Sequence, residues 1–148
     1  MPVQSVMPYL FFSGTTEQAV RHYEKALDAK AEGLVRYGEM GGMPMDEATK
    51  SRVANVNLKI GSFTLMAGDV EAGKEASKVS NVEVCLAYDD LDEMKRAFTA
   101  LGEGGSITMN IELAPWGDSF GGLTDRFGIR WMFIGPAPAG ATAGGPSR

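Results

Sequence analysis

The feature that most constrains this chain is an order of elements that it runs through twice: strand, helix and three further strands, over residues 5–69 and again over 81–135. Val6 to Phe12 is rich in aromatic and branched residues and stops at the turn signal Ser13-Gly14, so it predicts a strand. In the next segment Thr15 and Gln18 have capping-box spacing, and Ala19, Val20, Tyr23, Ala26 and Leu27 recur on one helical face. Leu34 to Met40 reads as a second strand, followed by a loop, GGMPMDEATKS. Arg52 to Ile60 and Ser62 to Asp69 then form a hairpin about Gly61.

Residues 70–80 are polar, with alternating charge and no apolar period, and read as a linker between module one (5–69) and module two (81–135). The second pass opens with a strand over Asn81 to Tyr88. Asp89-Asp90 offers an N-cap to a helix whose stripe is Leu91, Met94, Ala97, Phe98 and Leu101, ending at Gly102. Ile107 to Leu113 alternates as a half-buried strand does, and Phe120 to Thr124 and Arg130 to Ile134 complete the module. Residues 136–148 are Gly, Ala and Pro with little to bury, and read as a flexible tail. Laying Tyr23 on Phe98 places Pro8–Phe11 on Glu83–Leu86, and laying Gly61 on Gly128 places Leu65 on Met132.

Composition narrows the partners. At 148 residues and 44% hydrophobic, the chain is long enough for a sizeable core. A net charge of -5 with 14 scattered basic residues argues against nucleic acid and anionic membrane. The single cysteine, Cys85, excludes an intrachain disulfide and suits a reducing compartment. The N-terminal stretch lacks the basic start and long apolar run of a signal peptide, and no apolar run approaches the roughly 20 residues of a membrane span, so a cytoplasmic protein is expected.

The doubled pattern, the YEKAL of the first helix and the closing GGLTDRFGIRWMF together resemble the vicinal oxygen chelate superfamily of glyoxalases, extradiol dioxygenases and bleomycin-resistance proteins. More narrowly they resemble its PhnB-like branch, often labelled 3-demethylubiquinone-9 3-methyltransferase. The closing motif is aromatic-Gly-x-x-x-Asp-x-Phe-Gly-x-x-Trp, and the likeness runs from Val6 to about Gly135. It implies an α+β fold of two βαβββ modules forming a cupped mixed sheet, as one domain over 1–135. No glycine-rich turn joins a strand to a helix with an acidic residue beyond it, as a nucleotide-type cofactor site would require.

The resemblance also implies where chemistry would sit. Relatives hold a divalent metal by His and Glu on the first and last strands of each module, with an open position that polarises a substrate oxygen. The matching positions are Pro8, Leu65, Glu83 and Met132, and a shift of one residue brings in Tyr9, Met66, Val84 and Phe133. Only Glu83 is a hard-cation ligand. Asn55 stands where PhnB-like relatives commonly place a His on the third strand, and the one histidine, His22, lies in the first helix. No metal set and no cofactor are therefore expected.

The expected ligand-binding residues are Asn55, Asn57, Glu83, Cys85, Trp116, Arg130 and Met132. Each has a plainer reading. Glu83 is either a general base held on the concave face or a solvated charge at a strand end. Cys85 is more often a small buried hydrophobe than a nucleophile. Asn55 and Asn57 share a strand face, as sheet-edge polar residues also do. Trp131 and Phe133 should pack under the helices while Arg130 and Met132 face the cup, with Trp116 at its mouth or in packing. His22 reads as a surface or boundary residue, and Met40, Met43 and Met45 as an adaptable apolar lid or plain loop packing.

The expected function is binding of a small, partly apolar ligand by a homodimer, with sequestration as the bleomycin-resistance relatives imply. The alternative is a metal-dependent lyase, isomerase or dioxygenase drawing ligands from Glu83 with Glu112, Asp118 or a partner chain. A further alternative is a non-catalytic interaction module.

Overall fold

The computed structural model describes residues 2–42 and 44–140. Met43 of the Met-rich loop and residues 141–148 of the expected tail lie outside the described residues. The chain divides between Val79 and Ser80 into two compact units.

The first unit contains β1 (Tyr9–Phe12), α1 (Thr16–Leu27), β2 (Lys30–Arg36), two single turns α2 (Tyr37–Met40) and α3 (Glu47–Lys50), β3 (Val53–Ile60) and β4 (Phe63–Asp69). The second contains β5 (Val84–Ala87), α4 (Leu91–Leu101), β6 (Ser106–Leu113), β7 (Ser119–Thr124) and β8 (Arg130–Gly135). The sheets have the same topology, β1-β4-β3-β2 and β5-β8-β7-β6. In each the first strand runs parallel to the last, and the other neighbours are antiparallel. Each unit is thus one βαβββ module of the expected α+β fold.

Period-two burial gives each sheet one covered face. Leu10 and Phe12 are buried while Tyr9 and Phe11 are exposed, and Val56, Leu58, Leu65 and Ala67 continue the covered side, against which α1 packs. In the second unit Trp131 and Phe133 are fully buried under α4, with Phe98 edge-on to Phe133 at 5.2 Å. Among the described residues no helix is long and apolar enough to cross a membrane.

Several local expectations are corrected. His22 is buried at 6% exposure. It lies three residues after Ala19 and four before Ala26, so the stripe is wider than the apolar residues alone mark. The second strand begins at Lys30 and ends at Arg36, and residues 37–40 turn as α2. The polar start of β2 is recruited by its partner β3, with an irregularity between Glu32 and Val35 where Gly33 has φ 65°. Part of the expected loop is α3, which Asp46 caps by accepting from Thr49 N at 2.8 Å. Strand β6 is exposed along most of its length because α4 packs on β8, leaving Ile107 and Met109 uncovered.

The capping box expected at Thr15 does not form; Thr15 makes no side-chain cap. The carboxylate of Asp69, at the end of β4, performs that task from the sheet. Its Oδ1 accepts from Gly14 N, Thr16 N and Thr16 Oγ1 at 3.0, 3.0 and 2.7 Å, and its Oδ2 from Val53 N at 2.9 Å. In the second unit Asp125 locks the closing turn: Oδ1 accepts from Phe127 N and Ile129 N, and Oδ2 from the Trp131 indole N–H at 2.9 Å. The family-like Asp-x-Phe-Gly-x-x-Trp run is therefore a structural clasp, with Gly128 (φ 94°) completing the turn.

Replacing Asp69 by Ala should cost about 3 kcal/mol or more in urea unfolding, since four donors lose a charged acceptor and three of them are buried. A loss below about 1 kcal/mol would show that water or neighbouring groups replace it.

Candidate functional site

The uncovered face of each sheet is where register brings the predicted strand positions together.

On the first sheet, Tyr9 pairs with Met66, Met66 with Asn57, and Asn57 with Glu32. These side chains share the uncovered face, because Leu10, Leu58, Leu65 and Ala67 occupy the other. The position matched to Leu65 is thus Met66, one residue on, and its strand-one partner is Tyr9. Phe11, 54% exposed, stacks on Tyr9 with ring centroids 4.6 Å apart. Tyr9 donates its hydroxyl hydrogen to Ala54 O at 2.9 Å. Gly68 makes room for this, since a Cβ there would lie 2.6 Å from Ala54 O and 2.9 Å from the phenol oxygen. Burial, and then the Tyr37 phenol, push the Tyr9 hydroxyl above its usual pKa, so it serves as a donor and not as a base.

Asn55 and Asn57 do lie on one face of β3. The Oδ1 of Asn55 is buried and has no hydrogen-bond partner among the described residues. An acceptor left in that state costs about 1–3 kcal/mol.

On the second sheet, Cys85 pairs with Met132, between the covered pairs Val84–Trp131 and Leu86–Phe133. Cys85 is exposed, contrary to the buried hydrophobe expected, because β5 turns its odd positions to the open face. Glu83 is exposed and lies before the first residue of β5. Arg130, at the facing strand end, reaches back to the Ser80 carbonyl at 3.1 Å. Trp116 is 47% exposed and meets Phe120 edge-on at 5.5 Å. Phe120 pairs with Ile134 on the same face as Met132, so Trp116 extends an apolar surface there.

Of the side chains on this open face, sequence reasoning passed over Phe11, and reached Tyr9 and Met66 only through a shift of one residue. The alternation in PYLFF marks Tyr9 and Phe11 as one face, but the alignment was anchored one residue away, at Pro8.

The metal chemistry of the resemblance does not fit this donor set. The paired positions hold a phenol and a thioether in one sheet, a thiol and a thioether in the other, where hard cations take carboxylate and imidazole. Among the described residues no three His, Cys, Asp or Glu side chains group together to hold a metal ion.

Partial desolvation pushes the Cys85 thiol up. The neutral form is favoured, so less thiolate is present at mildly alkaline pH than in an unstructured cysteine peptide. Iodoacetamide alkylation should accordingly be slower than the peptide's at pH 8, with its half-maximal pH displaced upward. Equal or faster alkylation would contradict this environment.

Comparison with known proteins gives concordant relatives. A family model described as 3-demethylubiquinone-9 3-methyltransferase matches residues 4–134. Protein YjdN of Escherichia coli (strain K12) is 30% identical over 134 residues, covering 84% of this chain and 90% of YjdN. The crystal structure of protein PA1353 from Pseudomonas aeruginosa superposes with a TM-score of 0.81 at 32% identity, over 92% of this chain and 100% of that one. A glyoxylase/bleomycin resistance protein/dioxygenase domain from Frankia sp. EAN1pec shares the fold, with a TM-score of 0.65 at 11% identity over 92% of this chain and 99% of its own.

Proposed function

Because the chain belongs to the 3-demethylubiquinone-9 3-methyltransferase family, within the glyoxalase/bleomycin resistance superfamily, we propose that it binds a small, partly apolar molecule on its open sheet faces without a metal or other cofactor. One observation carries the reading. Tyr9 stands directly opposite Met66, and Cys85 directly opposite Met132, where metal-dependent relatives would place hard ligands. What these positions offer is adhesion: a stacked Tyr9–Phe11 pair, polarisable thioethers and amide groups. A flat ring could lie on Phe11, with a polar group directed to Asn57.

The reading includes a homodimer in the cytoplasm. Exposed Ile107 and Met109 are apolar area that a second copy would cover, and β6 is an exposed sheet edge. A lone cysteine suits a reducing compartment. The seven residues expected to bind ligand keep that role here, Glu83 and Arg130 as charges at the rim and the others on or beside the faces.

The purified protein should carry substoichiometric divalent metal by elemental analysis. In a thermal-shift screen, small aromatic compounds and not divalent metals should raise the melting temperature. Replacing Phe11 by Ala should then weaken a ring-bearing ligand about tenfold, the scale of one lost stacking contact. Stoichiometric metal that disappears on changing Glu83 to Gln would establish the metal-dependent reading instead.

A further inference from the structure

We propose that the first unit carries a second ligand site, a polar cleft that takes a small molecule by a phosphate or carboxylate head. It lies among the β1–α1 turn, the outer side of α1, the end of β2 and the segment from α3 into β3, away from the residues of the open face. Its volume of about 630 Å³ falls within the roughly 300–1,000 Å³ usual for small-molecule sites.

Three arginines from three separate elements reach it: Arg21 on α1, Arg36 at the end of β2 and Arg52 just before β3. Two carboxylates line it, Glu17 and Asp69. The lining itself therefore carries one net positive charge, in a chain whose net charge is -5. Asp69 offers nothing to a ligand, because both its oxygens already accept from the four donors described above. For the same reason the start of α1 contributes little, and the attraction rests on the guanidinium groups.

Those groups are anchored but not exhausted. Arg52 uses Nη1 to hold the carbonyls of Val70 and Glu71 at 2.9 and 3.3 Å, leaving its Nε and Nη2 without hydrogen-bond partners among the described residues. Its guanidinium lies over Gly14, where a Cβ would come within 3.0 Å of Nη2. Arg36 bridges the recess, donating from Nη2 to Glu17 Oε1 and from Nη1 to Ser51 O, both at 2.9 Å. Arg21, itself exposed, is tied only to the half-buried Glu17 and Glu24. Planar N–H edges held in place suit the oxygens of a phosphate or carboxylate. Such a head would compete with Glu17, which pairs with both Arg21 and Arg36, with Glu24 on Arg21, and with the charge of Asp46 that acts on Arg52.

The test is amide chemical-shift mapping of the whole protein, titrated with inorganic phosphate and separately with citrate, each against sodium chloride at matched ionic strength. Saturable shifts at Gly14, Glu17 and Arg52 are expected from at least one anion, and which anion saturates identifies the head group. Arg21→Gln, which removes only surface ion pairs, should weaken binding about threefold, while Glu17→Gln should strengthen it by a similar factor. Shifts that merely follow ionic strength, a failure to saturate, or affinity unchanged in both variants would overturn the proposal.

Discussion

A single buried carboxylate holds the first unit's architecture together. Asp69 ends β4, yet its oxygens bind the turn leaving β1, the first residue of α1 and the first residue of β3. Burying a charge is costly unless its hydrogen-bonding capacity is filled, and here four donors fill it. The same contacts fix where the crossover helix starts and where two neighbouring strands begin and end. The second unit solves the problem differently. The equivalent place at the end of β8 is Gly135, where Met94 Sδ occupies the space a Cβ would need, and α4 is capped locally by Asp90 on Glu93 N at 3.0 Å. One fold, repeated, thus uses a long-range cap in one copy and a local cap in the other.

The open faces follow from that scaffold. Once β1 is locked beside β4, and β5 beside β8, period two decides which side chains meet, and it brings together Tyr9 with Met66 and Cys85 with Met132. Thioethers stand at equivalent places on both last strands. They are weak acceptors with soft, deformable surfaces, suited to apolar ligand contact and poorly suited to gripping a hard divalent cation.

Much of this was legible in the chain. The two passes through strand, helix and three strands were marked by apolar periods and by glycine turns, and Trp131 and Phe133 lie under α4 as their alternation with Arg130 and Met132 required. Asn55 and Asn57 share a face for the same reason. What was not legible depended on partners far away in sequence. The polar start of β2 becomes a strand because β3 offers a ladder, and His22 is buried because the helix stripe is wider than its apolar residues. The exact register of the ligand positions was out of reach, since a one-residue slip in alignment changes which face a side chain occupies.

The sequence by itself determined the doubled module, the covered faces and the soft character of the side chains available for a site, because those depend on local period and on side-chain chemistry. Tertiary structure alone decided that Asp69 caps a helix 53 residues earlier, and that arginines at 21, 36 and 52 gather about one cleft. It also decided that Asp125 is a clasp for Trp131. A carboxylate or guanidinium takes its role from the groups that surround it, and folding brings those groups from distant parts of the chain.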